Sequence, residues 1–211
     1  MDSKMLHVLR SSVAALALLG TLALSPDTAQ AQWSVSGSGF GSSVRTLAGT
    51  TQSPVATLPA EGGYATGEAE TFDVASLVEA RSLTAVTSGS GGESAGAQTV
   101  SELENVNVLN GLVRADIVTA IASSYAGSDG AASNGDGSGF VNLVVNGNSI
   151  TTDVAPNTRI DIPLVGYVIL NEQTTRGDGT SSSGIRLNMI HVRLLNGGEI
   201  IVGSASSSVV R

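Results

Sequence analysis

From residue 139 onward the apolar residues fall at alternate positions in short runs, and each run ends in turn formers. Val141, Leu143 and Val145 share one parity before Asn146-Gly147, and Ile160, Ile162 and Leu164 share another. After Gly166, Val168 and Leu170 resume the alternation. Ile185, Leu187 and Met189 are followed by Ile190, Val192 and Leu194 with a change of phase, the signature of a β-bulge. A period of two is that of a strand with one buried face. Strands broken by turns about every 8 to 12 residues indicate a sandwich or a closely related all-β architecture. The expected fold is therefore all-β, a β-sandwich-like antiparallel domain.

The first half reads less cleanly. Trp33 to Gly37 alternates as a first strand, with Trp33 as an edge-packed anchor, and Pro54 and Pro59 mark a loop. Over 67–87, Phe72, Leu77, Val78 and Leu83 suit a helix, whereas the Thr and Val content favours strands. Residues 88–97 and 127–139 are so rich in Gly and Ser that both read as loops. Val106, Val108 and Leu109 precede Asn110-Gly111, and Leu112, Val113, Ile117, Val118 and Ile121 follow it, as in two strands joined by a tight turn. Arg114 and Asp116 then share the opposite face and pair along the strand. One short helix, at 69–83 or 112–122, is the competing assignment. The expected organisation is a leader over 1–31, an N-terminal β segment over 32–98 packed with the rest, and a main β domain over 99–211.

The leader rests on Lys4 and Arg10, the 12-residue apolar stretch VAALALLGTLAL at 13–24, Pro26 and the Ala29-Gln30-Ala31 cleavage pattern. Such a stretch is too short to span a bilayer. Cleavage leaves 180 residues starting at Gln32, a secreted or cell-surface protein with no transmembrane anchor in the mature chain. That chain has eight Arg, no Lys and no Cys against 16 Asp plus Glu, a formal charge of −8. Disulfides, thiolate chemistry, Cys metal ligands and Lys-Asn crosslinks are excluded. With His7 removed, His191 is the single histidine, which leaves no His-rich metal site. The acidic balance disfavours nucleic acid and anionic lipid as partners.

The blocks ELENVNVLNGLVRADIVTAIA (102–122), LVVNG (143–147), APNTRIDIPLVGYVILNEQ (155–173), GIRLNMIHVRLL (184–195) and EIIVGSASSSV (199–209) together resemble the choice-of-anchor P group of bacterial exported proteins. That resemblance, over about 99–209, implies a shared exported domain followed in different members by different sorting signals, and it carries no catalytic residue. The chain stops at Val209-Val210-Arg211 without a sorting pentapeptide, apolar segment or basic tail, so release or non-covalent retention is expected.

Individual residues offer several chemistries, each with a plainer explanation. Asp129 and Asp136 sit in a carbonyl-rich loop that suits calcium, but their spacing is not that of the standard calcium loop. Asp73 with Glu79, or Glu102 with Glu104, matches the carboxylate pair of a glycan hydrolase, and exposed acids on an acidic β protein explain them equally. Arg176-Gly177-Asp178 spells an adhesive tripeptide and also a tight turn. Asn171, Glu172 and Gln173 end an apolar strand and suit a network satisfying nearby loop backbone. His191 is expected to be a hydrogen-bonded strand residue rather than a general base. Neither Ser181–Ser183 nor Ser206–Ser208 has the nucleophile-elbow pattern. Trp33, Tyr64, Tyr125 and Tyr167 are the candidates for sugar stacking. The resulting expectation is a non-catalytic secreted or cell-surface structural or interaction protein with no cofactor and no assigned site residue, acting on an extracellular or envelope partner or on itself through an exposed strand edge. A carbohydrate-binding or adhesive module is the alternative, and a carboxylate-dependent glycan hydrolase ranks third.

Overall fold

A computed structural model describes residues 32–151 and 153–211, and the expected leader lies outside them. Fourteen strands and no helix make up the regular structure of the described residues, so they contain no helix long and apolar enough to cross a membrane. In chain order the strands are β1 (Ser34–Thr46), β2 (Gly49–Thr57), β3 (Gly63–Val74), β4 (Val78–Ser90), β5 (Ala95–Val108), β6 (Val113–Gly127) and β7 (Gly130–Asn134). They continue as β8 (Gly139–Val141), β9 (Val144–Val145), β10 (Asn148–Ser149), β11 (Thr158–Ile162), β12 (Gly166–Gly177), β13 (Ser182–Leu194) and β14 (Glu199–Val210). Two antiparallel sheets pack face to face. The first has six strands in the order β11-β12-β13-β14-β1-β2, and the second has eight, with β10-β9-β6-β5-β4-β3 as its path and β7 and β8 paired to β6.

Both segments that resembled helices are strands. Residues 69–83 belong to β3, its turn and β4, and 112–122 run into β6, because Val113 and Ala115, then after a change of phase Val118 and Ala120, are buried against the opposite sheet. The glycine-rich loops are shorter than the sequence suggested. Strands β4 and β5 leave only 91–94 between them, and β7 forms inside 127–139, where backbone pairing to β6 needs no side-chain volume. Pro54 lies within β2 rather than in a loop, and an edge strand tolerates the missing N–H. Conversely, 139–149 holds only the short pieces β8, β9 and β10, although its alternation looked regular. Residues 98 and 99 are neighbours within β5. The second sheet's long edge, β3, carries Glu68, Glu70 and Asp73, charges of the kind that discourage edge pairing.

A line of register breaks runs across five strands of the first sheet. Asn171, Met189, Gly203, Gly41 and Pro54 each interrupt the cross-strand pairing at the same level, and the register resumes unshifted beyond them. Asn171 and Gly203 adopt left-handed backbone at φ 50° and 67°, conformations that Asn and Gly enter at least cost. The line inverts the alternation. In β13, Met189 and Ile190 are consecutive yet both buried in the core, as the phase slip in the sequence anticipated. Outward positions therefore change from even to odd, and Asn188 and His191 reach the same outer face. Ser82 and Asn105, at φ 47° and 50°, accompany similar irregularities in the second sheet.

The core is banded. A main cluster around Leu83, Leu103, Val118, Leu170, Leu187 and Ile200 fills one end. A smaller cluster at the other end contains Trp33, which is 4% exposed, with Val35, Leu58, Ala97 and Val209. Between them, successive strands place hydroxyls and glycines inward. Thr87 and Thr99 bond to each other at 2.9 Å, Ser124 bonds to Ser207 and Ser133 at 2.7 Å each, and Ser133 bonds to Ser183 at 2.9 Å. The hydroxyls of this band are tolerated because each finds a partner, whereas the buried Ser42 Oγ has none. Gly37 faces this band so closely that a Cβ there would lie 2.3 Å from Thr87 Oγ1 and 2.8 Å from Thr99 Oγ1.

Candidate functional site

The outer face of the first sheet holds the densest polar cluster, which straddles the line of register breaks. Register sets Glu172, Asn188 and Ser204 side by side on β12, β13 and β14, and Arg193, Glu199 and Arg45 side by side on β13, β14 and β1. His191 sits between these rows. Its Nδ1 lies 2.7 Å from Glu172 Oε2 and its Nε2 lies 2.6 Å from Glu199 Oε1. The Asn188 side-chain amide donates to Glu172 at 2.6 Å, and the Ser204 hydroxyl donates to Asn188 Oδ1 at 2.8 Å. Glu199 also pairs with Arg45 and with Arg193, the latter at 2.8 Å. Both ring nitrogens face carboxylate oxygens, which only accept, so a ring protonated on both nitrogens completes both bonds.

The imidazole is 2% exposed, beneath its own partners. It is thus the hydrogen-bonded strand residue that the sequence suggested. Met189 and Arg193, which a regular strand would place on its face, are divided by the bulge: Met189 is in the core and Arg193 is outside. Of the polar run before it, Asn171 donates to the Val154 carbonyl at 2.9 Å and so satisfies loop backbone, the Gln173 side-chain amide donates to Asn171 Oδ1 at 2.9 Å, and Glu172 turns to the histidine.

The Glu172 carboxyl is held below its ordinary value near 4.5, chiefly by the hydrogen bond from His191; burial opposes this and the Asn188 amide adds to it. A depressed folded-state value means that Glu172 contributes stability above pH 4.5, lost as the pH falls through the lower folded value. Glu172→Gln should therefore lose less stability than the natural chain between pH 7 and about pH 3, as thermal melts at stepped pH would show.

The other candidates separate. Asp129 and Asp136 lie at opposite ends of β7, Asp129 accepting from Ser128 and the Asp136 N–H donating to Asn134. No group of three or more His, Cys, Asp or Glu side chains converges as a metal site among the described residues. Glu102 accepts from Thr119 at 3.1 Å, and Glu104 lies opposite Arg81 in the register. Asp73 and Glu79 do come together, as directly opposed residues of β3 and β4. Asp178 accepts the N–H groups of Thr180, Ser181 and Ser182 and the Ser181 hydroxyl, contacts that push its carboxyl well below the usual range. The tripeptide at 176–178 is thus a turn whose carboxylate is spent on its own loop. Asp116 takes a 2.6 Å bond from Asn142 and forms no ion pair with Arg114, correcting the pairing expected along the strand.

Exposed chemistry lies on the two outer faces. Beside the start of β1 and the end of β14 the first sheet carries a groove of about 470 Å³ with Ser36, Ser206 and Ser208 as floor and Thr174, Arg176 and Arg186 at the side. Neither guanidinium makes a hydrogen bond or ion pair within the described residues. On the second sheet, Tyr64 (63% exposed) and Tyr125 (56%) stand on β3 and β6 at the edges of a shallow polar surface formed by Ser88, Gln98 and Ser123. Tyr167 is covered by the Arg159 guanidinium at 3.7 Å, and Trp33 is internal, so neither is free to stack.

Asn188, Ser204, Glu199 and Arg45 went unnoticed in the sequence because only the register of β1, β13 and β14 brings them to His191. The β13–β14 turn at Asn196-Gly197-Gly198 was the one local signal, since it sets Glu199 opposite Arg193.

Residues 41–175, more than half of the chain, match a family model described as Domain of unknown function (DUF8256). The match covers Asp73, Glu79 and Glu172 and stops before His191. No curated protein and no solved structure matches the chain.

Proposed function

The chain belongs to the family described as Domain of unknown function (DUF8256), a description that carries no activity, and we propose that the protein is a non-catalytic domain of the cell exterior, secreted or held at the cell surface, acting by structure and binding rather than by turnover. The observation that carries this reading is the enclosure of His191. Both its nitrogens are engaged by carboxylates and the ring is 2% exposed, so no lone pair faces a substrate. The signal-like residues 1–31 and the likeness of 99–209 to the choice-of-anchor P group support placement outside the cell.

A second reading, glycan binding, is favoured by one observation: Tyr64 and Tyr125 are both exposed on one sheet face with an amide and hydroxyls between them. Aromatic faces for sugar rings and fixed polar groups for hydroxyls are what such a surface requires.

Expression of the full chain followed by N-terminal sequencing of the extracellular fraction tests the placement, and incubation of that material with neutral and acidic polysaccharides tests the chemistry. We expect a chain beginning at Gln32 that is retained by polymer or envelope material and releases no reducing ends. A chain kept inside the cell with Met1 intact, or release of reducing ends in proportion to protein, sinks the proposal.

A further inference from the structure

The two ends of the sandwich are built from different residues. Five turns at one end, β1–β2, β3–β4, β5–β6, β11–β12 and β13–β14, carry Leu47, Leu77, Leu109 with Leu112, Leu164 and Leu195, and none of them holds a charge. The sixth, Asn146-Gly147 between β9 and β10, is uncharged as well. At the other end the β2–β3, β4–β5, β6–β7 and β12–β13 connections carry one carboxylate each, Glu61, Glu93, Asp129 and Asp178. Leu77, Leu109 and Leu112 pack against the main core. Leu47, Leu164 and Leu195 do not: at 100%, 95% and 75% exposed they are the three most exposed large apolar side chains among the described residues, and all stand on turns of the first sheet. Leu164 also holds φ at 64°, a conformation that Asn or Gly enters at less cost, so leucine there is unfavourable to the fold on two counts. The Leu195 N–H donates to the Val165 carbonyl at 2.9 Å, which fixes the turns of Leu164 and Leu195 side by side. Leu47 borders a small recess together with Leu194 and Asn196, which places the β1–β2 turn against the β13–β14 turn. With neighbouring strands about 4.8 Å apart, the three tips stand in a row about 10 Å from one to the next.

We propose that this end of the sandwich inserts into the surface of a zwitterionic lipid membrane, with Leu47, Leu164 and Leu195 entering the acyl boundary. Three apolar side chains on separate turns do not make the continuous patch that a protein partner needs. At about 100 Å² each, they and the same three from a second copy cover roughly 600 Å², half of the about 1,200 Å² at which stable protein interfaces begin. A fluid bilayer takes each tip where it stands. Together the three side chains hold about twelve carbons, close to the roughly fourteen of a myristoyl chain, so the expected association constant is about 10⁴ M⁻¹, weak and reversible. Approach by this end also holds the four carboxylates of the other end away from the lipid phosphates. Long strands of 12 to 15 residues set them roughly 40 Å back, several Debye lengths at physiological salt. The proposal names a partner for the binding role above and rests on that reading only for which membrane is met, since vesicle binding and export are measured separately.

The cysteine-free sequence makes single-site labelling clean. Ala48→Cys, beside Leu47, and Glu93→Cys, at the other end, each carry an environment-sensitive fluorophore and are titrated as the full chain with phosphatidylcholine vesicles. A saturable blue shift at position 48 is expected, with an association constant of about 10⁴ M⁻¹, little change at high salt, and no shift at position 93. Lipid-borne quenchers should quench position 48 alone. Replacing the three leucines together (Leu47→Ser, Leu164→Asn, Leu195→Ser) should weaken binding roughly tenfold or more, while Leu164→Asn by itself melts at or above the natural chain because the strain is relieved. Four results overturn the proposal: no shift at 48; an equal shift at 93, the response that insertion through the apolar stretch at 13–24 gives; a shift unchanged in the triple variant; or a shift that grows with protein concentration in the absence of lipid, which means that a second copy covers the tips.

Discussion

Replacing Gly37 with leucine should destabilise the protein by about 3 kcal/mol or more, because there is nowhere for the side chain to go. Gly37 faces inward on β1 where the band of hydroxyls separates the two core clusters. A single Cβ already falls 2.3 Å from Thr87 Oγ1 and 2.8 Å from Thr99 Oγ1, and those two hydroxyls are bonded to each other. Moving either threonine aside leaves a buried hydroxyl without a partner, so the clash and the lost hydrogen bond add. Separating the sheets instead would open the packing on both sides of the band. The measurement is the urea midpoint of Gly37→Leu beside Gly127→Ala, a position whose added Cβ meets nothing within 4 Å. The control should stay within about 0.5 kcal/mol of the natural chain. An equally small change in Gly37→Leu would mean that the sheets are not held at this distance.

His191→Ala should cost about 3 kcal/mol, near the lower bound for breaking a buried ion pair, because Glu199 retains Arg45 and Arg193 whereas Glu172 keeps only the Asn188 amide. Two contributions act together: the void left by a buried ring, and a half-buried carboxylate that has lost its strongest partner. Combining His191→Ala with Glu172→Gln separates them. The double variant should recover part of the loss at pH 7, since it removes the unpaired charge but not the void. Urea unfolding of the four proteins in the cycle supplies the coupling, and strictly additive losses would show that the histidine stabilises by packing alone.

The sequence displayed the sheets better than the site. Alternation of Ile185, Leu187 and Met189 followed by Ile190 and Val192 specified a strand with a bulge, and that is how β13 is built. Asn110-Gly111 and Asn146-Gly147 were legible as turns because their left-handed backbone favours those residues. The helical alternative at 69–83 arose because the β3–β4 turn and the irregular register near Ser82 shift the apolar spacing away from two. A single sequence contains no term for that. The face of each residue in the first sheet was hidden for the same reason: Asn171 and Gly203 reverse the parity in mid-strand, so counting in twos from either end assigns His191 and Asn188 to opposite faces. Asp73 and Glu79 were noticed as a pair, but only strand order reveals that they oppose each other directly.

The middle of the first sheet is a seam between the first and last strands of the described residues: β1 pairs with β14, and Ser34 bonds to the Val210 carbonyl across 176 positions of sequence. Contacts so distant are the slowest to form. At about 5 to 20 residues synthesised per second, β1 waits roughly 10 to 35 s for its partner to exist. During that interval the β1–β2 hairpin offers an unpaired edge, and the inner face of the second sheet has little to cover it. The order of strands therefore makes completion of the sandwich wait on β14, so that a growing chain stays open and threadable until that strand has been added.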